Sequence, residues 1–221
     1  MSVEQARFNM VEQQIRTWEV LDQDVLDLLY VVRREEFVPA AHRAFAFSDL
    51  ELPLYEGADE DERMMQPKVE ARILQELAVR KNELVLEVGT GSGYLTALLA
   101  ARAHHVHSVE INPKLKTFGE NNLRRAGVEN VTLQLGDASQ GWQKYSPYDV
   151  IVLTGSTPVL PQTLVSQLKA GGRLFAVVGD PPVMEARLMT CVGKGTQHTI
   201  DLFETCLAPL KNALQPARFE F

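Results

Sequence analysis

The stretch Glu83–Ala100, ELVLEVGTGSGYLTALLA, sets three alternate glycines, Gly89, Gly91 and Gly93, between two apolar runs, with an acid, Glu87, two residues ahead of the first. Glycines in a strand-to-helix turn let the backbone approach a ligand beyond the carboxyl end of the strand. A dinucleotide fingerprint, G-x-G-x-x-G, wants its third glycine where Tyr94 stands, so the pattern departs from that type. A carboxylate at Glu87 is unwelcome beside a pyrophosphate but suits a cationic amino-acid ligand, reached through neighbouring groups or water. Roughly 20 residues downstream, the spacing expected of a ribose-binding acid, Glu110 ends the next strand and can accept hydrogen bonds from sugar hydroxyls. The third strand runs into LGDA, where Asp137 can accept from an exocyclic amine such as that of adenine. Acids at three successive strand ends describe a ligand with a cationic amino-acid arm, a ribose and an adenine. S-adenosylmethionine has all of these; a nicotinamide cofactor is the weaker alternative. Each signal is weak alone, and the joint spacing carries the reading.

The elements that must position these residues follow from periodicity. Apolar residues recur at helical intervals over Val3–Arg16 and Asp22–Arg33, which predicts two N-terminal helices. The following EEFVPAAHRAFAFSDLELPLYEGADEDERMMQP holds no period and reads as irregular chain wrapping the core. Pro67 suits the first turn of a helix running to about Arg80. Strand Leu84–Val88, helix Tyr94–Ala103 and strand Val106–Glu110 come next. Asn112 and Pro113 cap and open another helix, stopped by Gly127. Strands Val131–Leu135 and Tyr148–Leu153, a helix Leu160–Leu168 and strand Arg173–Val178 continue the alternation, which implies a parallel sheet covered on both faces. Arg187–Val192 and Thr199–Leu207, separated by GKGTQH, read as an antiparallel hairpin at the sheet edge. One doubly wound α/β domain over residues 1–221 fits, with helices and wrapping segment in 1–66 and the cofactor-binding core in 67–221.

The chain's 221 residues suit one core. Its 22 basic against 29 acidic residues, a net charge of −7, argue against a nucleic-acid partner. No apolar run approaches the roughly 20 residues that span a bilayer, and the N-terminus lacks a basic start followed by an apolar block, so a cytoplasmic location is expected. Cys191 and Cys206 read as free thiols packed as small core residues.

With these residues in place the chain resembles the protein-L-isoaspartate O-methyltransferases, a family of class I S-adenosylmethionine-dependent methyltransferases. VRREEFVP, FSDLELPL, LEVGTGSGYLTALLA, SVE, GD, YDVIVLTGSTPVLPQTLVSQLKAGGRLFAVVG and LAPL carry the likeness in order, over nearly the whole chain. The resemblance implies a Rossmann-like, mostly parallel seven-stranded sheet with a reversed C-terminal hairpin. It implies cofactor contacts from Glu87, Gly89, Gly91, Glu110 and Asp137, with Thr90, Ser92, Tyr94, Ile111 and Ala138 beside them. It also implies methyl transfer to the carboxylate of an isoaspartyl residue in a protein or peptide. Where the family carries a serine before a Q-P pair, this chain has Met65, followed by Gln66 and Pro67. Met65, Gln66 and Thr154 are the substrate-pocket candidates, and no catalytic residue is assigned. A thioether cannot donate a hydrogen bond, so two further readings stand: a methyltransferase with another acceptor, or a cofactor-binding homologue without isoaspartyl activity.

The acidic run EGADEDER is expected as a solvated surface loop turned away from the site; the alternative sets its acids near an anionic acceptor, which they would repel, with Arg63 offsetting some of the charge. HHVH, His104–His107, puts two imidazoles on one strand face but reads as a solvated strand entry, with no metal site. DPPV, Asp180–Val183, falls after the wrong strand to serve as an amino-group methyltransferase motif. Met64 and Met65 suit an apolar lid over the ligand or simple core filling, the lid being the favoured reading, and Trp18 and Trp142 suggest packing only.

Overall fold

The structure, a computed structural model, describes residues 2–193 and 196–216. Helix α1 (Val3–Asn9), capped by the Ser2 hydroxyl, widens into a π-helical stretch over Met10–Ile15 and tightens into a 3-10 turn over Arg16–Trp18. The first expected helix is therefore one continuous rod of changing pitch, with Met10, Val11 and Ile15 buried. Helix α2 (Gln23–Val31) starts where the Asp22 carboxylate accepts from two backbone amides. The wrapping segment holds 3-10 turns at Arg34–Glu36 and Ala40–Phe45, and a short antiparallel pair, β1 (Leu52–Pro53) with β2 (Arg63–Met64), that no periodicity announces.

Helix α3 (Pro67–Leu77) stops short of Arg80 because Ala78 turns left-handed, φ 43°. Arg173 from the sheet occupies the freed carbonyls of Leu77 and Ala78, the latter at 2.9 Å. Strand β3 (Leu84–Val88), helix α4 (Tyr94–Arg102), strand β4 (His105–Glu110), helix α5 (Pro113–Arg125) and strand β5 (Val131–Leu135) follow the expected alternation closely. Asn112 caps α5 through its side chain. Strands β6 (Tyr148–Thr157) and β7 (Leu168–Asp180) exceed their expected lengths, and helix α6 shrinks to Gln162–Ser166. Leu168, expected on that helix, instead pairs with Tyr148 in the sheet.

Strands β8 (Val183–Gly193) and β9 (Thr196–Glu204) form the edge hairpin. Lys194 and Gly195 of its GKGTQH turn lie outside the described residues. The sheet order is β5-β4-β3-β6-β7-β8-β9, parallel through β7 and antiparallel from there to the edge. Side chains alternate across it. Val85, Val106, Val150 and Phe175 join a core with α3, α4 and the N-terminal helices, while Leu86, Val109, Ile151 and Leu174 join a second core with α6. The doubly wound architecture and reversed hairpin are as expected from the sequence. Among the described residues, no helix is long and apolar enough to cross a membrane.

Two smaller expectations change. Cys191 and Cys206 are free, but Cys191, on β8 of the edge hairpin, is half-buried and Cys206, just past the end of β9, is exposed. His107 is buried rather than solvated, since β4 is an interior strand. Its ring stacks on Tyr145 with centroids 3.8 Å apart, and Nδ1 has no partner. His105, on the same face, bonds the Thr132 hydroxyl at 2.8 Å. Both tryptophans pack as expected, Trp18 edge-on against Phe203 and Trp142 over Gly136 against the second core.

Candidate cofactor and acceptor site

The carboxyl ends of β3, β4, β5 and β6 open into one cleft of about 840 Å³, counting its open mouth. Met65, Val88, Gly89, Gly91, Glu110, Ile111, Asp137, Ala138 and Thr154 line it, so most of the expected cofactor and acceptor residues converge. They converge because parallel strands end on the same side, which no single motif could ensure.

The glycine loop is built for closeness. Gly89, Gly91 and Gly93 have φ of +98°, +52° and +82°. A Cβ on Gly89 would fall 2.1 Å from the Thr154 hydroxyl, which itself sits 2.9 Å from the carbonyl oxygens of Val88 and Gly89 and ties β6 to the loop. Glu110 is buried, and its carboxylate is anchored rather than free. Oε1 accepts from the Asn112 amide and Oε2 from the Gly91 amide, each at 2.9 Å. Each oxygen keeps a lone pair for a further donor. Asp137 is exposed to the cleft, accepting from the Ser139 amide and the Asn212 side chain, both at 2.9 Å. Burial works to raise its pKa, but these bonds outweigh burial and hold it below the ordinary carboxylate range. Between the two acids the apolar side chains of Ile111, Leu115 and Ala138 leave a slot.

Glu87 lies beneath the loop, in a small adjoining pocket with Thr90, Ser92 and Met65. It is fully buried; Oε2 accepts from the hydroxyls of Thr96 at 2.5 Å and Ser108 at 2.6 Å, while Oε1 has no partner. Burial pushes its pKa up to about 8 against the help of those hydroxyls. An unpartnered, buried carboxyl oxygen under a glycine loop is what a cationic ligand arm would complete, so the residues present fit S-adenosylmethionine.

Two expected residues are not brought in. Tyr94 points into the core, 5.5 Å from Phe37 by ring centroids and with Arg34 over its face, because α4 turns that side away from the loop. Gln66 lines neither pocket; it precedes α3, and its carbonyl receives the amides of Val69 and Glu70. Met64 and Met65 are both buried in the core, and only Met65 also reaches the main cleft.

The acidic run does not turn away from the site. The segment between β1 and β2 folds onto the cleft, where Asp61, Glu62 and Arg63 line the mouth together with Glu51 and the C-terminal Pro209, Leu210 and Lys211. Sequence reasoning missed Glu62 and Lys211 altogether. A lysine separated by 149 residues from the carboxylate it pairs with leaves no local signal.

Comparison with known proteins adds an independent line. The sequence model of the protein-L-isoaspartate(D-aspartate) O-methyltransferase family matches residues 5–207. A protein-L-isoaspartate O-methyltransferase of Methanoculleus marisnigri is 40% identical over 204 residues, 92% of this chain and 90% of that one. One from Petrotoga mobilis is 37% identical over 208 residues, covering 94% and 95%. A solved protein-L-isoaspartate O-methyltransferase superposes with a TM-score of 0.80 at 26% identity, over 92% of this chain and 65% of that one. A Plasmodium falciparum structure in complex with S-adenosyl-L-homocysteine, at 20% identity and a TM-score of 0.78, covers 91% and 96% and shares the fold.

Proposed function

The chain belongs to the protein-L-isoaspartate(D-aspartate) O-methyltransferase family, and from that premise we propose that it methylates the carboxylate of isoaspartyl residues in proteins or peptides. It is an S-adenosylmethionine-dependent methyltransferase. Bound in the cleft, S-adenosylmethionine supplies a methyl group already activated on a sulfonium centre. Glu110 and Asp137 are suited to accept from ribose and adenine, Ile111, Leu115 and Ala138 to enclose the base, and Glu87 to balance the cationic arm.

One observation carries the acceptor reading: Met65 and Thr154 open onto the same cleft as Glu110 and Asp137, so an acceptor seated against them shares one chamber with the cofactor. A carboxylate acceptor is ionised at neutral pH and needs no general base, so this site has only to align it and exclude water. The buried Met65 side chain supports exclusion of water, and the peptide around it is fixed by Arg34 at 2.6 Å from its carbonyl.

A second acceptor reading is favoured by the mouth itself. Glu51, Asp61 and Glu62 outnumber Arg63 and Lys211 there, and Met65 offers no hydroxyl to orient an anion. Titration calorimetry with S-adenosylmethionine, followed by methyl transfer to an isoaspartyl peptide and its aspartyl twin, separates the readings. Transfer to the isoaspartyl peptide alone is the expected result. Cofactor binding with neither peptide methylated points to another acceptor, or to a binding protein that has lost transfer. No binding removes every version.

A further inference from the structure

We propose that Glu62 is a positioning residue for the cofactor, its carboxylate latching the acidic segment over the cleft onto the asparagine that orients Glu110. The inference rests on reading the cleft as the cofactor site. Glu62 has the composition of a surface acid, yet it is only 5% exposed. Its two oxygens divide their work. Oε2 serves the segment's own fold, accepting from the Tyr55 hydroxyl and from the Asp59 amide at 3.4 Å. Oε1 reaches outside it, accepting from the Asn112 side chain at 2.6 Å and the Lys211 ammonium at 3.1 Å.

Asn112 makes the connection consequential. Its side-chain nitrogen donates to Glu62 while its backbone amide donates to Glu110 Oε1 at 2.9 Å, and Glu110 Oε2 takes the Gly91 amide at 2.9 Å. A continuous run of contacts therefore joins the C-terminal strand's extension, the acidic segment, the end of β4 and the glycine loop. Of these residues, Glu62, Lys211, Glu110 and Gly91 line the cleft, while Tyr55, Asp59 and Asn112 stand behind them. Burial works to raise the pKa of Glu62, but the bonds from Tyr55, Asn112 and Lys211 outweigh it and hold the group at about 2. It stays ionised wherever the protein is folded near neutral pH. Two elements, the segment and the chain at Lys211, must then part from one carboxylate before a ligand under them can leave. Glu60, in the same run, has no hydrogen bond from its side chain among the described residues and serves as a control of equal charge change.

The test measures release of S-adenosylhomocysteine by stopped flow, and amide hydrogen exchange over residues 55–61 in the cofactor-free protein. Glu62→Gln should release the ligand about tenfold faster, the loss of one hydrogen bond to a charged group, and should exchange faster over 55–61. Lys211→Met, whose ammonium is half-exposed, should speed release about threefold. Asn112→Asp keeps the helix cap but sets a second carboxylate against Glu62, and should raise exchange over 55–61. Glu60→Gln should change neither quantity. Faster exchange with unaltered release in Glu62→Gln would reduce Glu62 to a staple of its own segment and overturn the proposal. Equal acceleration by Glu60→Gln would overturn it in favour of general charge. If the wild-type protein binds no S-adenosylhomocysteine, the functional reading fails instead; unchanged exchange in Asn112→Asp would then still defeat the latch.

Discussion

Arg34 holds the peptide carbonyl of Met65, its Nη2 donating to that oxygen at 2.6 Å from a side chain wholly withdrawn from solvent. The same guanidinium donates from Nε to the Ala46 carbonyl at 3.1 Å, pairs through Nη1 with the buried Glu70 carboxylate, and lies 5.1 Å over the Tyr94 ring. One planar fork thus gathers the wrapping segment, α3, α4 and the backbone at the acceptor end of the cleft. Lysine has neither the number nor the fixed spread of donors to replace it.

Arg34→Met should therefore be severe. It strands Glu70 without a counter-charge and the Met65 carbonyl without a donor, and should cost about 3–5 kcal/mol in urea unfolding. Burial raises the pKa of Glu70 to about 7 even against Arg34, so removing Arg34 should neutralise Glu70 at neutral pH. Adding Glu70→Leu to Arg34→Met should recover part of the loss. A double variant no more stable than the single one would contradict this account of the pair.

Met65→Ser restores a hydroxyl donor at the acceptor end of the cleft. If an anion is oriented there, kcat for an isoaspartyl peptide should rise about tenfold, the rate equivalent of ~1.4 kcal/mol of transition-state hydrogen bonding. Stability should fall by about 2 kcal/mol, because the thioether is buried and its removal leaves a gap. Steady-state kinetics and a melting curve on one preparation read both effects. A flat kcat accompanied by the stability loss would point to a pocket remodelled for another acceptor.

Glu87 couples cofactor binding to protons. With a folded pKa of about 8 against an ordinary value of 4.5, it is largely neutral in the free protein at pH 7. A cationic ligand arm favours the ionised form, so binding should release part of a proton and tighten as pH rises from 7 towards 8. Calorimetry in buffers of different ionisation enthalpy measures that release, which Glu87→Gln should abolish. The stability sign is the reverse of a salt-bridged acid. A carboxyl whose folded pKa is raised destabilises the protein increasingly as pH climbs from 4.5 to 8. Glu87→Gln should thus stabilise the free protein at pH 7, by on the order of 1–3 kcal/mol, while weakening cofactor binding.

His107 should set part of the acid sensitivity. Burial, with His105 and Lys144 nearby, lowers its pKa from 6.5 to about 4. The unfolded chain therefore takes up a proton first, and stability should fall as pH drops from about 6.5 to 4. His107→Phe keeps an aromatic ring against Tyr145 and removes both ring nitrogens, of which Nδ1 has no partner. It should gain roughly 1 kcal/mol at pH 5 relative to pH 7, a figure discounted for partial solvent screening. An equal shift at both pH values would assign the effect to packing instead.

Much of this molecule is local and was readable as such. The short apolar run of Leu84–Val88, the glycines that follow, the Asn112–Pro113 cap and the Gly127 stop each depend on residues a few positions apart, and each stands where the pattern puts it. Glu110 and Asp137 were legible for the same reason, as acids closing short apolar strands. Boundaries failed where distant partners intervened. Helix α6 lost Leu168 to pairing with Tyr148, and α3 ended early with Arg173 on its last carbonyls.

The sequence by itself determined the alternation of strands and helices, the turn that lets backbone near a ligand, and the order of acids along the strand ends. Tertiary structure alone decided that Tyr94 faces the core, that His107 is buried, and that the solvated acidic segment lies against the cleft with Glu62 tucked under it. The physical reason is distance along the chain. Backbone conformation responds to neighbours within a turn or a strand. The environment of a side chain depends instead on what the fold brings against it, as Asn112 and Lys211 are brought to Glu62 from 50 and 149 residues away.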